Sequence, residues 1–283
     1  MRTLAFAAAI ALAPMSASAW GPEGHSIVAE IAQRRIAHET PAVMDKIQKI
    51  LGPGASLASI ASWADDYRDE DQATSNWHFV DIPIASSVYD PISQCKATPK
   101  GDCIIAELDR LRNGELRCKK GDEQRKALMF AVHFLGDIHQ PLHTVHENTG
   151  GNAIDVLVFM HGARCKKDCR ISPTATNLHA AWDVNLITMT VWDWGAYVTR
   201  LEKGWLAGAE AKKPGIDGGT PLEWALETHQ AAQQVWQLTP ANLVLDENYY
   251  NAVLPVIDRQ LGVAGLRLAR FLSEALGADC PVQ

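Results

Sequence analysis

Long apolar runs are almost missing from this sequence of 283 residues. After Trp20 no stretch reaches the roughly eighteen apolar residues of a bilayer-spanning helix, so a soluble chain with no stable membrane association is expected. No asparagine begins an Asn-x-Ser/Thr sequon, and N-glycosylation is not expected. Internal repeats and low-complexity tracts are absent, which excludes solenoids and arrays. The Gly- and Pro-containing stretches at 52–54, 91–101 and 212–221 read as loops, none with the length of an interdomain linker, so one domain is expected. Positive charge is scarce as well: 26 Lys and Arg face 33 Asp and Glu, a formal net charge of −7. That excludes a broadly basic clamp on nucleic acid, and an anionic substrate would need its counter-charge from bound cations.

Residues 1–19 are of another kind. Arg2 supplies a positive start, residues 4–13 an apolar segment too short to span a bilayer, and Ala17-Ser18-Ala19 a small-residue cleavage site. The expectation is a secretory signal cut before Trp20, leaving 20–283 as the working domain, secreted or periplasmic. In an oxidising compartment the six cysteines (Cys95, Cys103, Cys118, Cys165, Cys169 and Cys280) are expected in disulfides rather than as thiolate ligands. Cys165 and Cys169 are near enough for a local bridge, and the others cannot be paired from spacing.

Apolar residues recur at helical spacing in 27–36, 57–64, 128–135, 182–187 and 254–276. Alternation is brief, at 77–82 and at 154–159, the latter after the turn signal Gly150-Gly151. The fold class expected is mainly α, one multi-helix domain with a short β-hairpin.

Three of the ten histidines crowd into HFLGDIHQPLH, residues 133–143. His133 and Asp137, four apart, project from one helix face. Pro141 biases Gln140 away from helical geometry, so His143 can fold back toward that face, while His139 is turned away. One such pair is equally a half-buried histidine satisfied by a carboxylate. The spacing recurs, however, as His179 and Asp183 in HAAWD. In SLASIASWADDYR an apolar stripe through Leu57 and Ala61 runs into Asp65, with Arg68 three residues on; a buried acid there is either paired with Arg68 or bound to a cation. Asp66 and Asp69 read as solvated. In NWHFVDIP the alternation sets His78 with Val80 and places Phe79 with Asp81. Cleavage before Trp20 would expose an α-amine, able to chelate with its own carbonyl oxygen, five residues from His25. Nine N and O donors without thiolate suit a cluster of zinc ions with open positions for water and phosphate oxygens.

WGPEGH, SIASWADDYR, the HF of NWHFVDIP, HFLGDIHQPLH, GGN and NLHAAWD together resemble the secreted trinuclear-zinc single-strand nucleases, or 3′-nucleotidases, related to the zinc phospholipases C. The resemblance covers residues 20–183. It implies three Zn²⁺ ions per chain: one on Asp65, His78, His133 and Asp137, a second on His143, His179 and Asp183, and a third on Trp20, His25 and the bridging Asp137. It implies metal-activated hydroxide attack on phosphorus, with Asp65 and Asp137 serving the catalytic water and Arg68 the transition state. Phe79 and Asp81, with Asn152, would bind a base. The implied substrates are single-stranded DNA and RNA, cut to 5′-phosphate products, and 3′-mononucleotides; no oligomer is implied. A phospholipase on the same scaffold is disfavoured because that relative has Glu at the position of Asp183, and a non-catalytic zinc-binding protein because it has no use for Arg68. The chain departs from the fungal pattern in a longer excursion at 161–176, and in Thr149 beside the base pocket.

Overall fold

The computed structural model describes residues 20–160, 172–191 and 193–280. Helix α1 (Pro22–Glu39) starts with proline, whose missing N–H costs nothing in a first turn, and buries Ile27, Val28, Ile31 and Ile36. Next come α2 (Pro41–Leu51), α3 (Trp63–Glu70), the one-turn α4 (Pro91–Gln94), α5 (Ile104–Arg110), α6 (Leu116–Cys118) and α7 (Gly121–Asp137). Two short helices, α8 (Leu178–Ala180) and α9 (Leu186–Thr190), flank a π-type turn at Ala181–Asn185; α10 (Trp194–Lys203), α11 (Pro221–Leu238) and α12 (Glu247–Gly277) complete the chain. The long α12 packs along α1 and against α2, α7 and α11. Apolar periodicity alone passes over α11, yet a capping box between Thr220 and Glu223 marks its start.

The centre of the molecule is α7. Every residue from Ala127 to Asp137 is buried, as expected of a helix surrounded on all sides. His133 and Asp137 are therefore delivered into the core.

Beside the helices lies a sheet in the order β2-β1-β3. β1 (Asp155–Val158) pairs antiparallel with β2 (Thr174–Asn177), Asp155 opposite Asn177, and parallel with β3 (Val244–Leu245). The strand expected at 154–159 is thus present. Its antiparallel partner comes from the end of the 161–176 excursion; residues 161–171, with the bridge expected between Cys165 and Cys169, lie outside the described residues. Four other cysteines form disulfides, Cys95–Cys103 and Cys118–Cys280. Among the described residues no helix is long and apolar enough to cross a membrane.

The strand expected at 77–82 needs correction. Residues Gln72–His78 form a 3-10 helix capped by the Asp71 carboxylate, and only the following residues are extended. There Val80 N donates to His143 O and Ile104 N to Phe79 O, so the start of α5 and the 141–144 turn occupy the backbone, and a single parallel bridge from Ile82 to Val145 is all that forms before Pro83. Side-chain alternation survives: His78, Val80 and Ile82 are buried, Phe79 and Asp81 partly exposed.

Candidate metal centre

The local sequence explains how each side chain arrives. α7 stops at Asp137, Gln140 is extended before Pro141, and the 3-10 turn Pro141–Thr144 swings His143 back toward the helix end. His25 sits in the first turn of α1, its ring stacked 3.9 Å from that of His133. The helix expected through 57–64 is broken: a 3-10 turn at Ala58–Ile60 precedes α3. Asp65 N turns to Ser62 O, and the carbonyl of Ala61 is left for His133 Nδ1 at 2.7 Å.

Two more histidines are held in the same way. His143 Nδ1 donates to His78 O and His179 Nδ1 to Gly150 O, each at 2.7 Å. A carbonyl only accepts, so Nδ1 carries the hydrogen in all three rings, and in a neutral ring Nε2 then presents a lone pair. The Nε2 atoms face one another or carboxylates. His143 Nε2 and His179 Nε2 are 3.1 Å apart, and His133 Nε2 lies 3.3 Å from Asp137 Oδ2 and 3.6 Å from Asp65 Oδ1. Between the neutral rings of His143 and His179 this sets acceptor against acceptor and calls for a shared cation, while His133 meets its two carboxylates through a proton or a metal ion. Backbone carbonyls orienting imidazoles in this way are the usual support of metal-binding histidines.

Asp137 is fully buried between two sides of the cluster. One oxygen, Oδ1, lies 3.2 Å from His25 Nε2, and the other, Oδ2, 3.0 Å from His78 Nδ1. Three groups have ligand atoms within 4.8 Å of one another: His25, His133 and Asp137; Asp65, His78 and His133; and His143, His179 and Asp183. Eight of the nine expected side chains and termini therefore converge through their side chains. The ninth, Trp20, is buried, and its neighbour Gly21 donates from N to Asp183 O at 2.8 Å. His139 stays apart as expected, with Nδ1 donating to Leu135 O and Nε2 accepting from Arg267 at 3.0 Å.

The electrostatics carry the same demand for positive charge. Burial disfavours a charged His133, but Asp137 and Asp65 outweigh it and raise the imidazole to about 10. Burial also opposes ionisation of Asp65, yet His133 holds that carboxyl well below the usual range. By contrast, burial and the Arg267 charge lower His139 to about 3, a histidine kept neutral.

A cavity of about 200 Å³ opens beside the cluster, lined by Arg68, Phe79, Asp81, Asn152 and the ligand candidates His78, His143 and His179. Arg68 reaches to 3.8 Å from Asp65 Oδ1, so the pairing and the cluster coexist. Burial raises the carboxyl of Asp81. On the far wall a left-handed turn runs from Asn148 and Thr149 (φ 49° and 56°) into Gly150 and Gly151 (φ 60° and 84°). Glycine is needed at 150, where a side chain would meet Leu142 O at 2.7 Å. Asn152 Nδ2 donates to Thr149 O, so this residue closes the turn as well as lining the cavity. Sequence spacing missed His146 and Val145, which also line it; no motif signals them.

The chain is similar to known proteins along most of its length. Residues 20–277 match the sequence model of the S1/P1 Nuclease family. Nuclease S1 of Aspergillus oryzae (strain ATCC 42149 / RIB 40) is 30% identical over 303 residues, covering 94% of each chain. Nuclease P1 of Penicillium citrinum is 29% identical over 289 residues, 92% of this chain and 99% of that one, and Endonuclease 2 of Arabidopsis thaliana is 29% identical over 286 residues, 91% of each. Mainly helical, with three clustered His/Asp groups and a cavity beside them, the chain belongs to the S1/P1 nuclease family and is a hydrolase acting on nucleic acid.

Proposed function

We propose that the chain is a secreted, three-zinc phosphodiesterase that cuts single-stranded DNA and RNA to 5′-phosphate ends and also removes phosphate from 3′-mononucleotides. The observation that carries the metal is the facing pair of Nε2 atoms on His143 and His179, 3.1 Å apart, within three converging His/Asp groups. An all-N/O donor set with imidazoles dominant suits zinc. In this reading Asp65, His78, His133 and Asp137 hold one ion, His143, His179 and Asp183 a second, and His25, Asp137 and the Trp20 terminus a third. The family match begins at Trp20, which supports removal of residues 1–19 as a signal and 20–283 as the mature domain.

When bound, the ions supply a water acidified toward neutral pH and positive charge at the leaving 3′-oxygen. Asp65 accepts a hydrogen bond from the attacking water and aims it at phosphorus. Arg68 shares the charge that builds on the equatorial oxygens. The water oxygen bonds to phosphorus as the bond to the 3′-oxygen breaks, one proton of the water ends on the released 3′-hydroxyl through solvent, and no side chain forms a covalent bond. Phe79 stacks on a base, Asp81 accepts from its pairing edge, and Asn152 shapes the opposite wall. A base can use that pocket only after leaving a duplex, which gives the preference for single strands.

The experiment is an assay of protein beginning at Trp20 on single-stranded DNA, RNA, duplex DNA, a 3′-mononucleotide and phosphatidylcholine, with and without chelator. Chelator-sensitive cleavage of the single strands and the mononucleotide is expected. Preferred hydrolysis of phosphatidylcholine would replace this reading with a phospholipase, and zinc binding without turnover would replace it with a binding protein.

A further inference from the structure

We propose that Gln140 is a positioning residue that fixes the carboxylate of Asp183, and through it the affinity of the His143, His179 and Asp183 group for its ion. The inference rests on the metal reading above and adds a residue outside the ligand set. Gln140 is fully buried, between the end of α7 and the turn that carries His143. Its Nε2 donates to Asp183 Oδ1 at 2.6 Å, and its Oε1 accepts from Leu142 N at 2.5 Å. The second bond fixes the sense of the first. Leu142 N–H can only donate, so the amide oxygen must face it and the NH₂ group must face Asp183.

One carboxylate oxygen is thereby occupied and the other directed: Asp183 Oδ2 lies 3.4 Å from His179 Nε2. Asp183 sits within the π-type turn Ala181–Asn185, a backbone form that recurs at functional sites because it re-aims a side chain. Gln140 is itself held from behind. The backbone carbonyl of the preceding residue, His139, accepts from Gln260 Nε2 at 2.9 Å, so α12 braces the segment. The chain of support runs from Gln260 through the 139–140 backbone to the Gln140 amide and on to Asp183. Gln140 is no ligand: its amide nitrogen, which has no free lone pair, faces Asp183, and its oxygen is turned toward Leu142 N.

The test compares Gln140→Glu and Gln140→Met with wild type, all beginning at Trp20. Circular dichroism in chelator establishes folding. Competition with a chromophoric zinc chelator then gives the affinity of each ion, and elemental analysis the number bound. Gln140→Glu keeps size and polarity but sets a second carboxylate against Asp183; Gln140→Met keeps size and removes both hydrogen bonds. The expected result is two ions held as in wild type and one weakened about 10- to 100-fold, with activity lost at limiting zinc and restored by excess zinc. A role confined to folding would instead lower thermal stability in chelator and leave the affinities level. Wild-type affinity for every ion in a folded variant overturns the proposal, and if Gln140→Met fails to fold, Gln140→Glu decides. Failure of wild type to bind zinc would refute the metal reading itself, a distinct result.

Discussion

A methyl group on Gly136 would sit 2.6 Å from Nδ1 of His25. α7 and the first turn of α1 approach this closely only because residue 136 has no side chain, and the imidazole of His25 fills the space.

Gly136→Ala separates two effects of opposite sign. Helix propensity favours alanine by about 1 kcal/mol, whereas overpacking a tight core costs about 1–3 kcal/mol. The expected outcome is no gain in thermal stability, a displaced His25 and reduced zinc content. A variant with raised Tm and full zinc content would show that the contact places no constraint on the centre.

Phe79 and Asp81 line the cavity together. Phe79→Ala should lose about 1–3 kcal/mol of stacking, which is roughly 5- to 150-fold in KM for a 3′-nucleotide. An aryl phosphodiester without a base serves as control and should be little affected. Equal losses on both substrates would remove Phe79 from base recognition.

Much of this centre is legible in the sequence, and the limits have physical causes. Helical spacing alone puts His133 and Asp137 on one face, and Pro141 alone predicts the reversal that returns His143. Alternation sorts His78 from Phe79 and Asp81 although the segment begins as a 3-10 helix. What spacing misses is made by contacts between distant parts of the chain. The break that frees Ala61 O for His133 joins residues 72 apart, and the Gln140 bond to Asp183 spans 43. β3 is two residues long and has no pattern of its own; it forms because β1 offers an edge. Gly136 reads as a helix-weakening residue until His25 is seen against it.

The Trp20 amine exists only after cleavage behind Ala19. Adding one Gly before Trp20 turns it into an amide nitrogen, which cannot coordinate without losing its proton. Zinc-saturated protein with the added Gly should hold one ion weakly or not at all and be nearly inactive, against a native-terminus control. Indistinguishable activity and zinc content would remove the terminus from the centre.

Asp137 turns Oδ1 toward His25 and Oδ2 toward His78, the placement a carboxylate shared by two ions would need. Zinc per chain, measured by elemental analysis on Asp137→Ala beside wild type and the exposed-site control Asp66→Ala, tests that sharing most directly. Three ions are expected in wild type and in Asp66→Ala, and loss of both shared ions with nearly all activity in Asp137→Ala. Three zinc ions retained in Asp137→Ala would contradict it.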